Sequence, residues 1–343
     1  MSATADTTGS PTSDATPRPG SGRTAGVGGA PRTVLSRLLR PVLQANLVVQ
    51  IGIVVTGGLV RLTGSGLGCP TWPQCVPGSY VPVVEQPEGF HKYIEFGNRL
   101  LTGVIGIVAL AAFVVVLLLV RHRRATGSGA SRGLLALAAV PFLGVGVQAV
   151  LGGVTVLAGL SPATVAAHFL LSMVLVAAST ALLLRVLAPT PAVAGREVGW
   201  IAWSVAAVAA VVLVLGTVVT GSGPHSGDAD TPARFPFDPR LVSWLHADAV
   251  WLFVGLVVAL VLALRLVGAH PAAHRRALWL LAVTLLQGLV GYVQYFTDLP
   301  VALVAVHMLG ASLLVVAVTA AVAGVVGLGG DAAASVRPDA RGL

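Results

Sequence analysis

Charged residues are scarce in this sequence: they make up 10% of its 343 residues, whereas 55% of the residues are hydrophobic. Soluble globular domains usually carry about 25% charged residues, so this composition excludes an ordinary water-soluble protein. The N-terminal residues are rich in Thr, Ser, Pro and Gly and lack the apolar core of a signal peptide. The composition therefore predicts a polytopic membrane protein.

The basic residues do not form one patch, although the net charge is +8. They recur at alternate ends of the apolar stretches, which excludes a nucleic-acid-binding surface and indicates membrane topology. Short cytoplasmic loops retain arginine, and arginines precede the first stretch and follow the second, fourth and sixth. The sequence therefore predicts a multi-pass protein of the bacterial cell membrane with both termini in the cytoplasm.

Eight apolar stretches are each long enough to cross a hydrocarbon layer of about 30 Å. They lie near residues 42–62, 93–120, 133–153, 163–188, 200–220, 242–266, 277–297 and 300–327. We therefore predict an all-α integral membrane protein, with eight transmembrane helices in two similar four-helix bundles. The predicted bundles cover residues 41–188 and 200–327, with a cytoplasmic linker at 189–199. Residues 1–40 and 328–343 are predicted to be cytoplasmic tails without a packed structure.

An internal repeat supports the two halves and points to a ligand. Gln148 and His168 are twenty residues apart, as are Gln287 and His307, and matching residues lie between them. Each copy carries a histidine inside apolar sequence, where a bare imidazole is costly unless it binds something. Histidines repeated in this way indicate haem.

The predicted depth of the histidines favours axial ligation of haem iron. Pro162 and Pro300 fit the first turns of helices four and eight. His168 and His307 then lie roughly 10 Å below the outer surface. His246, near the outer start of helix six, shares a depth with His307, as axial ligands from two helices would. The alternative is that each histidine is only hydrogen-bonded inside the bundle.

The first half departs from this symmetry. Asn98 holds the position that corresponds to His246, so His168 is the one firm iron ligand that the first half offers. Haem with one strong ligand leaves the iron open for chemistry, whereas haem with two histidines suits electron transfer. Glu95, one helical turn from Asn98, is a candidate catalytic carboxylate that holds a proton or stabilises positive charge. The alternative for Glu95 is an i,i+4 ion pair with Arg99.

The two cysteines of the chain, Cys69 and Cys75, lie in a predicted outward loop with five residues between them. That compartment permits a disulfide, which fits better than a zinc site without nearby histidine partners. The pair is either a structural bridge or a thiol pair that takes part in redox chemistry. Cations near the outer helix ends, which are candidates for contacts with haem propionates or for interfacial snorkelling, are Arg61, Lys92, Arg99 and Arg240.

With these residues the chain resembles the haem A synthases of bacteria and mitochondria, over roughly residues 42–325. The resemblance rests on GGLVRLTGSGLGCP at 57–70, EFGNR at 95–99, AAH ending at His168, and His246 with His307. The loop segment at 57–70 is the most specific of these. Abundant glycine and a single lysine against many arginines are typical of a GC-rich, actinobacterial-like variant.

The resemblance implies an oxidoreductase that converts the C8 methyl group of haem O to a formyl group, making haem A for terminal cytochrome oxidases. It implies a resident haem b between His246 and His307, and oxidation of haem O in the first half. The family usually has histidine where this chain has Asn98, which leaves His168 to bind the substrate haem. His91 would substitute only if the start of helix two brought it back to the site.

The implied partners are a haem O synthase, cytochrome oxidase assembly, the lipid bilayer and an electron acceptor that the sequence does not identify; a homo-oligomer stays open. Two other functions fit part of the pattern. A membrane b-type cytochrome that relays electrons predicts a haem with two histidine ligands and no haem modification. A haem transporter predicts a cavity that reaches the cytoplasm, whereas the polar intramembrane residues cluster towards the outer side. The resemblance favours the enzyme.

Overall fold

The computed structural model describes residues 34–127, 132–193, 195–225, 227–228 and 232–327. Within these ranges the chain forms eight helices, each long and apolar enough to cross a membrane. They are α1 (Val34–Leu62), α2 (His91–Ala125), α3 (Arg132–Leu157), α4 (Pro162–Leu187), α5 (Arg196–Ser222), α6 (Pro239–Leu266), α7 (Pro271–Phe296) and α8 (Val301–Val326). The predicted all-α integral membrane protein is confirmed. The predicted tails at 1–33 and 328–343 lie outside the described residues.

Several helices extend beyond the apolar stretches that predict them. α1 begins at Val34 rather than near residue 42, so the last part of the predicted N-terminal tail is helical. α7 begins at Pro271 rather than near residue 277. The added turns carry arginines such as Arg37 and Arg275. A helix can continue past the hydrocarbon layer in this way, because the arginine head groups reach water while their stems stay on apolar surface.

The helices form two four-helix bundles in chain order. In the first bundle each helix contacts the next and α4 returns to α1; α5 to α8 repeat this arrangement. Apolar side chains fill each bundle, with Leu43, Val116 and Leu182 at the centre of the first and Val257 and Leu280 in the second. The candidate histidines lie beyond these cores, towards the end at which the loop with the two cysteines joins α1 to α2. We call this the cysteine-loop end.

The two bundles pack against each other through α1, α4, α5 and α8. Val54, Met173, Val176 and Val315 form a shared apolar cluster at this interface. The predicted linker is also fixed in place: the Thr190 hydroxyl donates to the carbonyl of Ala323 at 3.2 Å, and the Val193 N–H donates to the carbonyl of Val325 at 2.8 Å. The segment between the bundles is therefore packed on α8.

Candidate haem-binding sites

Three histidines each pack against a glycine on a neighbouring helix. A Cβ atom built on Gly152 of α3 would lie 3.3 Å from Cε1 of His168 on α4. The same distance recurs between Gly216 of α5 and His246 of α6, and between Gly291 of α7 and His307 of α8. A Cβ atom at this distance would make a tight contact with the imidazole, so glycine favours the close approach of the ring to the neighbouring backbone.

The imidazoles of these three histidines have few polar partners within the described part of the chain. Nδ1 of His168, His246 and His307 is buried without a hydrogen bond of standard geometry, and the one polar group near the His246 ring is the backbone of Val212. His246 and His307 are close enough to interact electrostatically. Buried polar atoms of native proteins are nearly always satisfied, and axial ligation of iron uses an imidazole nitrogen that faces open space. The three histidines therefore fit haem.

Glutamine side chains hold the backbone of two of these histidines. Gln148 Nε2 donates to the carbonyl of His168 at 3.0 Å, and Gln287 Nε2 donates to the carbonyl of His307 at 2.7 Å. Gln148 also donates to the Ser172 hydroxyl at 2.6 Å. The glutamine and the histidine at the two ends of each repeat are therefore joined by a hydrogen bond between neighbouring helices. This bond fixes the position of each histidine along its helix.

The α1–α2 pair lacks this arrangement. Asn98 stands where the other pairs have histidine, and its Oδ1 accepts a hydrogen bond from the Thr56 hydroxyl at 2.8 Å. Gly52 corresponds to Gly216, by the same offset that relates Thr56 to Thr220. A Cβ atom on Gly52 would have no atom of the described residues within 4 Å. The space beside the glycine, which an imidazole occupies in the other three pairs, is therefore open here.

Glu95 is buried and engaged at both carboxylate oxygens. Its Oε1 accepts from Nε and Nη2 of Arg99, at 3.0 and 2.6 Å, so the i,i+4 ion pair is present. Its Oε2 accepts from the backbone N–H of Cys69 at 2.7 Å. Arg99 in turn donates to the carbonyls of Cys69, Thr71 and Gln74. The first turns of α2 thus hold the cysteine loop through one ion pair.

The loop that Glu95 and Arg99 hold is closed by a Cys69–Cys75 disulfide, with both sulfurs in fully buried residues. Its Trp72 side chain packs on α3, so closely that a Cβ atom on Gly153 would overlap the indole ring. Gly153 directly follows Gly152, the residue that faces His168. The cysteine loop therefore covers the end of the α3–α4 pair nearest the first-bundle histidine.

The other predicted cations make contacts within the protein. Arg61 donates to the carbonyls of Thr220 and His225, at 3.0 and 2.6 Å, and so ties α1 to the second bundle. Partial burial, together with the positive charge of Arg61, lowers the pKa of His225. Lys92 donates to the carbonyls of Val83 and Val84. The Arg240 guanidinium lies 4.7 Å from the centre of the Trp244 ring. Nδ1 of His91 lies 2.8 Å from the Ser65 hydroxyl. The predicted contacts of Arg61, Lys92, Arg99 and Arg240 with haem propionates stay predictions, and so does the substitution of His91 for a haem ligand.

Comparison with known proteins decides the family. The model of the COX15-CtaA family, described as cytochrome oxidase assembly protein, matches residues 41–319. The chain belongs to the COX15-CtaA family. The match spans both bundles, the cysteine loop, Glu95 and all three histidines. The COX15-CtaA family thus confirms the resemblance found in the sequence.

Curated relatives agree with this membership. The Heme A synthase of Bacillus cereus (strain 03BB102) is 27% identical over 278 residues, which cover 76% of this chain and 85% of that protein. The Heme A synthases of Bacillus anthracis (strain A0248) and Bacillus thuringiensis subsp. konkukian (strain 97-27) match to the same extent. The similarity therefore extends over most of the COX15-CtaA chain rather than over one motif.

Proposed function

We propose that this chain is a haem A synthase, an oxidoreductase that converts the C8 methyl group of haem O to a formyl group. The observation that carries the proposal is the asymmetry of the two bundles. The second bundle pairs two histidines that each pack on a glycine, whereas the first offers one such histidine and a buried carboxylate. The name Heme A synthase of the relatives supports the same function.

In this proposal His246 and His307 hold a resident haem b. A haem with two histidine ligands is suited to carrying single electrons. Packing on Gly216 and Gly291 orients the two rings, and the Gln287 hydrogen bond fixes the height of His307. The protein groups around the ligands therefore orient them before the haem arrives.

The first bundle is the proposed site of haem O oxidation. His168 binds the haem from one side, and Asn98, held by Thr56, offers no strong ligand on the other. Converting a methyl to a formyl group consumes one water in total and releases four electrons and four protons. Two successive hydroxylations and the loss of water from a geminal diol account for that balance. An external electron acceptor would take the electrons, and a haem held by His246 and His307 would supply one-electron chemistry next to this site.

Glu95 is the proposed acid–base and electrostatic group of this reaction. Its carboxylate is held by Arg99 and by the Cys69 N–H, so it does not have to reorganise as charge develops. A fixed carboxylate stabilises developing positive charge better than a mobile one and accepts a proton from the reacting carbon. The ion pair with Arg99 and the catalytic role are compatible, because each carboxylate oxygen can accept more than one hydrogen bond.

The proposed location is the bacterial cell membrane, with both termini in the cytoplasm and the cysteine loop outside. The arginines lie mostly at the helix ends away from the cysteine loop, as expected for the cytoplasmic side. A haem O synthase would supply the substrate, and cytochrome oxidase assembly would use the product. The family description as cytochrome oxidase assembly protein supports this place in the sequence of reactions.

The test is to express the chain with a haem O synthase in a host that lacks haem A, and to separate the extracted haems by chromatography with mass detection. We expect haem A with the wild-type chain and none with His168→Ala. Haem B and unconverted haem O alone, with the protein present and loaded with haem, would contradict the proposal and favour a b-type cytochrome.

The resident site has its own test. We expect His246→Ala and His307→Ala each to lose the low-spin haem b spectrum of the purified protein. His274→Ala is the matched control, because its Nδ1 is also buried without a partner, but it lies at the opposite end of the bundle. If both substitutions kept a normal low-spin spectrum, the assignment of the resident haem to these histidines would be wrong.

A further inference from the structure

An open apolar groove of about 450 Å³ runs along the first bundle between α2 and α3. Its lining includes Gly103 and Gly106 of α2, and Phe142 and Gly146 of α3. A Cβ atom on Gly103 or Gly146 would meet no atom of the described residues within 4 Å. The groove is therefore present because glycines leave this space unfilled.

The groove lies next to the proposed substrate site. Gly103 follows Asn98 by five residues in α2, and Gly146 precedes Gly152, which faces His168, by six residues in α3. At 1.5 Å per residue, the groove begins about 8 Å from the level of the candidate haem ligand. It continues from there away from the cysteine-loop end, towards the middle of the helices.

The second bundle serves as an internal comparison, because larger residues stand there at the two positions whose glycines leave space in the first bundle. In the aligned repeats Trp251 stands where the first bundle has Gly103, and Leu285 stands where it has Gly146. Trp251 also bridges α6 and α7, since its Nε1 donates to the Tyr292 hydroxyl at 3.2 Å. The two bundles share a fold, but one keeps this surface open and the other bridges it.

Two exchanges run in the opposite direction, from a large to a small residue. Gly255 and Ala282 stand where the first bundle has Ile107 and Leu143, which line the groove. These two exchanges remove side chains from the corresponding surface of the second bundle, but the bridge from Trp251 to Tyr292 remains.

We propose that this groove binds the isoprenoid tail of haem O. The inference rests on the proposed function, because it assumes that His168 holds the haem ring. Haem O carries a long isoprenoid chain that haem B lacks, and a hydrocarbon chain matches a groove lined by glycine and apolar side chains. A resident haem b has no such chain, which fits the bridge that Trp251 and Tyr292 form across the corresponding surface of the second bundle. Inside a bilayer burial against protein is no more hydrophobic than burial against lipid, so close packing on the glycines must give the preference.

The experiment measures the binding of haem O and of haem B to the purified full-length chain that carries its resident haem. Absorbance titrations in one detergent give a dissociation constant for each haem. For the wild type we expect haem O to bind at least about tenfold more tightly than haem B. Gly146→Leu introduces the side chain that the second bundle has at this place. It should weaken haem O binding about tenfold and leave haem B binding unchanged, and Gly103→Leu should do the same.

Leu285→Ala in the second bundle is the matched control, and it should change neither dissociation constant. An unchanged preference for haem O in both glycine variants would overturn the proposal, and so would equal binding of the two haems by the wild type; the groove would then be ordinary lipid-facing surface. His168→Ala separates this result from the proposed function. If that substitution left haem O binding intact, the first-bundle site itself would be wrong.

Discussion

At the scale of single residues, the imidazoles are positioned mainly by packing against glycines. A Cβ atom on the neighbouring glycine would lie 3.3 Å from Cε1 of His168, His246 or His307. In most histidine sites a hydrogen bond to one ring nitrogen orients the ring. Here the contact with glycine restricts the orientation of the ring, while Nδ1 stays buried without a hydrogen bond of standard geometry. The residue that departs from this rule, Asn98, therefore gives the most informative substitution.

We predict that Asn98→His adds a second axial ligand to the first-bundle haem. The space beside Gly52 is open, so the new ring can take the position that an imidazole has in the other helix pairs. The expected result is a second low-spin haem in the absorption and electron paramagnetic resonance spectra, with haem O held at least about tenfold more tightly, or roughly 1.4 kcal/mol. Asn98→Ala is the control, because it loses the Thr56 hydrogen bond without adding a ligand. A spectrum identical to that of the wild type would contradict the prediction.

Glu95 is expected to act on the chemistry more than on the resident haem. Glu95→Gln keeps the shape of the side chain but removes the charge that pairs with Arg99. We expect haem A formation to fall by about 100-fold or more, while the haem b spectrum of the second bundle is unchanged. Glu85→Gln changes an exposed carboxylate of the preceding loop and should leave the product yield as in the wild type. Normal haem A formation by Glu95→Gln would rule out a catalytic role.

At the scale of elements, the cysteine loop and the start of α2 form one unit. The disulfide closes the loop, the Glu95–Arg99 ion pair holds its backbone, and Trp72 covers Gly153. We predict that Trp72→Ala opens the end of the α3–α4 pair and speeds the loss of haem O from the first bundle by about tenfold. Tyr80→Ala, at an exposed position of the same loop, is the control. Equal rates for the two variants, measured by transfer of haem O to an excess of apomyoglobin, would show that the loop does not cover the site.

The elements also show how far the sequence predicts this structure. Hydropathy predicts all eight helices, but it does not predict the first turns of α1 and α7, which carry arginines. A helix can continue beyond the apolar layer without a break in its hydrogen bonds. The repeat predicts the histidines, and the cysteines predict the disulfide. The glycines that seat the rings are not predicted, since glycine is common throughout the chain. One signal was present: Gly152 and Gly291 each precede their histidine by sixteen residues.

At the scale of the whole molecule, the two bundles form one packed body with two unequal sites. The shared cluster around Val54 and Val315 joins their centres, and Arg61 ties α1 to the second bundle at the cysteine-loop end. The fixed linker joins them at the opposite end. These three contacts hold the two candidate sites at a fixed separation, at both ends and at the centre of the interface.

A tight contact across this interface lies next to His307, a proposed haem ligand. A Cβ atom on Gly58 of α1 would overlap the side chain of Met308, which directly follows His307 in α8. We predict that Gly58→Leu displaces α8 at this point, at a cost of about 1–3 kcal/mol as for other overpacked positions. The displacement should change the reduction potential of the resident haem b, although Gly58 belongs to the other bundle.

Gly52→Leu is the matched control for this prediction, because it adds the same side chain one to two turns away on α1, where no atom of the described residues lies within 4 Å. Redox titration of the low-spin haem signal in membranes distinguishes the two variants. A shift with Gly58→Leu alone would mean that packing between the bundles determines the properties of the resident site. The same potential in both variants would mean that Met308 moves aside without moving His307, and that each bundle fixes its own haem independently.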